Sequence, residues 1–300
     1  MAGFSIAEVA FTGVRLIRER PKAFGVWVVV LLVFGQVVTV GMIVLAGPQL
    51  SALRTDPAAA ASALGRATPI YLFNLLFYPV AYGAMNRAVL EPENSAFGYI
   101  RLGKDELRQL GLMLLYIAVM AAAYLVIGLG GLILSTMASL VLSALLGASA
   151  AVILGVLALV MVFGGLSIVA TRLCLASPLT FATKRIDLFG SWKLTDGYFW
   201  SLFAVGLIAL FLTLIGVALA FGLCAALSIV PGAGLQLDSL IHPDMTSLGA
   251  YFSPGRIVLI VVLVGVEAAL LPLWLAAPAA AYRAMTGGAS HVREVQEIFS

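Results

Sequence analysis

Six apolar runs divide the chain, at residues 24–46, 70–90, 110–134, 150–171, 202–230 and 257–282. Each reaches the roughly 20 predominantly apolar residues that a helix needs to cross a bilayer. Between them lie stretches in which apolar positions recur every three or four residues against a polar face. In the first, Phe4, Ala7, Phe11, Val14 and Ile17 line one side, and Ser5, Glu8, Thr12, Arg15 and Glu19 the other. In the second, Arg101, Lys104, Asp105 and Arg108 stand broadly opposite Phe97, Ile100, Leu107 and Leu110. In the third, Asp187, Ser191 and Thr195 are spaced by four, beside Leu188 and Trp192. This pattern predicts amphipathic helices lying in the headgroup plane over 4–19, 97–110 and 186–196. The plainer alternative is that these stretches only set the angle of the spans that follow. The fold class predicted is therefore all-α: a polytopic helical membrane protein of about six transmembrane helices with amphipathic interfacial helices, in a single membrane domain over 1–300.

Residues 110–171 carry no charged side chain and have length for two spans or three. Charge bias arbitrates, because cytoplasmic loops collect Lys and Arg. With two spans there, 14 of the 17 Lys and Arg residues fall on one side, and only Arg54, Arg66 and Arg256 on the other. A third span would move all but one of the positive charges that follow it out of that pattern. The expectation is six spans with both termini in the cytoplasm. The surplus between the third and fourth spans holds Ser135, Ser139 and Ser143 on one weakly polar helical face. It suits either a short helix at the outer interface or an extension of both spans.

The polar stretches and the hairpins after them recur. Each unit has an amphipathic start, two apolar runs, and an arginine closing the returning helix: Arg87, Arg172 and Arg283. Three parallel repeats, over 4–90, 96–176 and 184–285, would have this form. The positive-inside rule would produce similar features without duplication.

Composition narrows the class. The 300 residues are 62% apolar and 10% charged, with a mean hydropathy of +1.11. A soluble domain is about 25% charged. The net charge of +3 is too mild to point to nucleic acid. The partners it suggests are membrane lipids, with anionic headgroups of the cytoplasmic leaflet foremost, and other membrane proteins. A basic residue near such a leaflet gains roughly 1 kcal/mol.

The segment Leu173-Cys174-Leu175-Ala176-Ser177-Pro178-Leu179 leads into Asp187-Leu188-Phe189-Gly190-Ser191-Trp192-Lys193-Leu194-Thr195, and a span follows at once. This resembles bacterial YciC-like integral membrane proteins, and the related membrane domain that precedes some glycerophosphodiester phosphodiesterases. The likeness is architectural over the whole chain and residue-like over 173–200. It implies a multi-pass protein of the bacterial inner membrane. No hydrolase domain accompanies it, so phosphodiesterase activity does not carry over.

Catalytic constellations are scarce in the sequence. His242 and His291 fall in segments assigned to opposite sides, and no nucleophile elbow, zinc-protease helix or phosphate-binding loop occurs. Cys174 and Cys224 read as small hydrophobes. Asp238, His242 and Asp244 have metal-ligand chemistry, but the Pro- and Gly-rich loop around them favours a solvated connector. Neither a cofactor nor a metal is expected.

Glu267 is the anomaly. It lies eleven residues into the sixth run, where an ionised acid costs at least about 2.5–3.5 kcal/mol on insertion scales. Pro272, five residues on, cannot donate to the Ala268 carbonyl. Glu267 and Asn74 thus form a candidate intramembrane polar site: either a proton or cation site, or a hydrogen bond that holds helices together. Arg87, Arg172 and Arg283 are candidate headgroup contacts, reaching outward as long basic side chains do. The function expected is a non-enzymatic inner-membrane protein with an accessory, envelope-maintenance or lipid- and protein-interaction role. The alternative is a small secondary transporter or channel centred on Glu267.

Overall fold

In lipid a backbone must satisfy its own hydrogen bonds, and the apolar runs do so as helices. The computed structural model describes residues 4–52, 59–93, 95–146, 148–229, 239 and 243–287. Two short helices, α1 (Ile6–Ala10) and α2 (Thr12–Glu19), precede the long α3 (Pro21–Ala52). Then come α4 (Ala59–Leu75) and α5 (Phe77–Leu90), a single 3-10 turn at Ala96–Tyr99, and the hairpin of α6 (Lys104–Leu146) and α7 (Ala148–Leu173). Short helices α8 (Ala176–Thr183) and α9 (Gly190–Leu194) lead to α10 (Phe199–Ser228), α11 (Leu248–Tyr251) and α12 (Pro254–Thr286). No strand occurs among the described residues. Five helical segments are long and apolar enough to cross a membrane: α3, α6, α7 with α8, α10 and α12. The chain is an all-α, multi-pass membrane protein.

The remaining predicted span is helical but broken. Pro79 offers no N–H to the Leu75 carbonyl and its ring crowds that turn. α4 accordingly ends at Leu75, and Leu76 donates to Phe73 O instead. The pair still runs antiparallel to α3 along its length. Phe34 stacks on Phe73 and packs against Phe77, and Trp27 shares a core with Met85.

The uncharged stretch is two helices. α6 and α7 lie antiparallel, with Gly131 beside Val162 and Gly165 beside Ile127. α6 continues unbroken through Ser135, Ser139 and Ser143, so the surplus residues extend the spans.

α12 is the helix around which the bundle is built. It packs against α2, α3, α5 and α10, and more lightly against α1 and α8. Its last third, Leu275-Ala276-Ala277-Pro278-Ala279-Ala280-Ala281, supplies the small side chains that let several helices approach at once. Ala276, Ala279 and Ala281 are fully buried. Gly216 and Ala220 of α10 pack within the chain: a Cβ at Gly216 would stand 2.7 Å from Leu270 Cδ2, and Ala220 is buried. Ala218 and Gly222 face outward.

Of the three amphipathic stretches, the first forms α1 and α2. The second differs from expectation. Residues 97–99 all have left-handed φ, from 49° to 67°, and helix resumes only at Lys104 as the first turn of α6. Asp105 and Glu106 there sit on the positive end of the α6 dipole. The third contains only the single turn of α9.

Candidate functional site

The charged side chains gather at one end of the bundle, where α2, α5, α8 and α12 finish and α6 begins. Arg87, in the last turn of α5, is the centre of one group. It is 3% exposed, and its two Nη atoms are both engaged. Nη1 donates to Tyr99 O at 2.9 Å, and Nη2 donates to Glu106 Oε1. Gly83, one turn earlier on α5, makes room for this carboxylate: a Cβ there would stand 2.7 Å from Oε1. Asp105 lies 3.9 Å from Arg87 and also accepts from Arg108 Nη1 at 2.7 Å and Lys184 Nζ at 3.0 Å. Lys184 stands 3.9 Å from Glu91 and 4.0 Å from the Phe181 ring centre. Three cations thus meet three carboxylates.

A neutral network continues from this cluster into the bundle. Asn86 Nδ2 donates to Ser177 Oγ at 2.9 Å, Ser177 Oγ donates to Gln109 Oε1, and Gln109 Nε2 donates to Ser177 O. The whole assembly ties α5, α6 and α8 together. It also fixes the left-handed turn at 97–99, whose Gly98 carbonyl accepts from Trp27 Nε1 at 2.7 Å. Arg87 is therefore not a headgroup contact. Burial and a carboxylate from the next helix hold it inside the protein.

Arg172 and Arg283 remain at the surface. Arg172 lies 3.4 Å from Asp196, and its guanidinium stands over the rings of Trp192 and Phe199. Arg283 is exposed and donates to Val89 O at 3.0 Å, satisfying a carbonyl in the last turn of α5. It borders a groove of about 760 Å³ between α2, the end of α5 and the end of α12. Arg15 and Arg20 line the same groove.

Glu267 and Asn74 are not brought together. Glu267 is exposed on α12, Asn74 is half-buried at the end of α4, and neither makes a hydrogen bond or ion pair with a described residue. The apolar cavities beside α12, of about 440 and 110 Å³, are lined by neither residue. The hydrogen bond holding α12 there is a different one, from Trp274 Nε1 to Thr213 Oγ1 at 2.8 Å. Among the described residues no three His, Cys, Asp or Glu side chains are placed to hold a metal. Asp238 and His242 lie outside the described residues, and Asp244 accepts from the N–H and hydroxyl of Thr246.

Glu106 and Gln109 are what sequence reasoning missed. Both sit at amphipathic positions of a stretch read as lying flat, where an acid has an ordinary place on the polar face. Their i, i+3 spacing, facing Gly83 and Asn86 at i, i+3 on α5, was the available signal. Compared with known protein families, curated proteins and solved structures, the chain matches none.

Proposed function

We propose that this is a non-catalytic protein of the bacterial inner membrane, with its charged end and both termini in the cytoplasm. It engages lipid headgroups and neighbouring membrane proteins in an accessory or envelope-maintenance role. The YciC-like character of residues 173–200 is consistent with that role.

The carrying observation is how α1 and α2 sit. One face, with Val9, Ala10, Thr12, Gly13 and Leu16, is buried in the bundle. The other leaves Phe11 and Val14 about half exposed, at 45% and 46%, close to the exposed Arg15 and Arg18. An element that is apolar towards both protein and surroundings, with arginines at its edge, suits the boundary between acyl chains and headgroups. The carrier reading draws no such support, because Glu267 has no hydrogen-bond or ion-pair partner among the described residues.

Depth labelling tests the proposal. In anionic bilayers a spin label replacing Phe11 should report headgroup depth, and one replacing Glu8 should report water. Equal water exposure at both positions would remove the lipid-engaging role.

A further inference from the structure

The two clusters of charge at the foot of the bundle differ in one respect. Around Arg87 every cation has a carboxylate within reach. Around the groove between α2, α5 and α12 no arginine has a carboxylate within 4 Å among the described residues. Arg15 donates to Thr12 Oγ1 at 3.4 Å, Arg20 to Pro92 O at 2.9 Å and Arg283 to Val89 O at 3.0 Å. Each bond fixes the direction of a guanidinium without neutralising it. Glu8 and Glu19 also border the groove, but both are exposed, and neither comes within 4 Å of a cation of the described chain.

A guanidinium has five N–H donors, and each of these three spends one on a neutral acceptor. The three arginines keep further donors, and all three line a concave space of about 760 Å³, within the range of small-molecule sites. Forked donors on arginines that line one groove match the oxygens of a phosphate group. Leu16 and Val89 give the groove an apolar floor, and the exposed Val14 lies on α2 beside Arg15.

We propose that this groove binds a phosphate-bearing anion through Arg15, Arg20 and Arg283. It rests on the lipid-engaging reading above and gives it a specific site. The phosphate of a phospholipid headgroup and a free phosphate share this chemistry. The apolar floor fits the headgroup, whose glycerol and upper acyl carbons would lie against Leu16 and Val89.

The test uses the full chain in neutral detergent, with native mass spectrometry counting retained phosphatidylglycerol against phosphatidylcholine. A parallel titration uses inorganic phosphate, followed by melting temperature. The wild type should retain phosphatidylglycerol in preference to phosphatidylcholine. Arg15→Gln with Arg283→Gln should weaken that retention at least tenfold, while Arg66→Gln, outside the groove, should leave it unchanged. Arg15→Glu alone should act in the same direction, and serves if the double variant does not fold. Inorganic phosphate that raises the melting temperature with the same arginine dependence, without lipid preference, would identify the free anion as the ligand. Anionic preference that survives both groove variants would overturn the site while leaving the lipid-engaging role intact. A wild type with no anionic preference and no response to phosphate would remove both.

Discussion

Arg87 and Glu106 form the contact on which the foot of the bundle depends, with side chains only 4% and 7% exposed. Breaking such a pair by removing one partner leaves a charge buried without compensation, at a cost of about 3–5 kcal/mol. Glu106→Ala should therefore lower the melting temperature of the detergent-solubilised protein markedly. Arg87→Met combined with Glu106→Leu should recover most of the loss, because a well-packed apolar pair removes both desolvation costs. A Glu106→Ala protein that melts with the wild type would refute the assignment. Half of this contact was legible in the sequence. Charge bias placed Arg87 at a helix end, but its partner lies 19 residues on, across a left-handed turn that no periodicity announces. Glu267 was legible as an anomaly for the opposite reason, since a lone acid in an apolar run stands out whatever it touches. Its proposed partner Asn74 was not, because sequence gives no rotation of one helix against another.

At the scale of elements, α2 meets α12 backbone to backbone. A Cβ at Gly13 would stand 2.6 Å from the Pro272 carbonyl carbon and 2.7 Å from Leu273 N, so the neighbour is main chain and cannot turn aside. Gly13→Leu should displace α1 and α2 from the bundle, at the roughly 1–3 kcal/mol typical of overpacking. A cysteine replacing Val9, which is 4% exposed, would report it. Its maleimide reactivity should be low in the otherwise native chain and should rise several-fold with Gly13→Leu. Unchanged reactivity would mean that the two helices do not need this approach. The amphipathic pattern of 4–19 was readable as a helix with one apolar face. That face, with Phe11 and Val14, is the exposed one; the surface packed in the bundle, with Val9, Ala10, Gly13, Leu16 and the Thr12 assigned to the polar side, was not read. The run over 70–90 was read as one span, although Pro79 breaks it at Leu76, and the extension of α6 past Ser135 stood in the sequence only as one of two alternatives. A serine bonding back to its own helix looks in sequence like one facing the interface; Ser135 in fact donates to Leu132 O.

At the scale of the molecule, the parity of crossings decides where every charge lies. α3 and the α4–α5 pair form one antiparallel passage out and back, and α6 with α7 forms a second. Among the described residues five helices are long enough to cross, and with the α4–α5 pair counted as a further passage the expected number is six. The charged ends of α2, α5, α8 and α12 then belong to one face, and the proposed anion groove opens there. α6 alone, at 43 residues, is about 64 Å long at 1.5 Å per residue, against a hydrocarbon core of about 30 Å. Such length would allow a third crossing if the chain turned inside it. The side-by-side packing of Gly131 on Val162 and Gly165 on Ile127 leaves no such turn within the paired stretch. Reporter fusions after Gly190 and after Ser300 should therefore give the same sidedness, and cytoplasmic sidedness if the positive charges face inward. Opposite signals from the two fusions would require an odd number of crossings after Gly190. In that case Arg172, Lys184, Arg185 and Lys193 could not share a compartment with Arg283, and the single charged foot on which the groove depends would be divided between the two sides of the membrane.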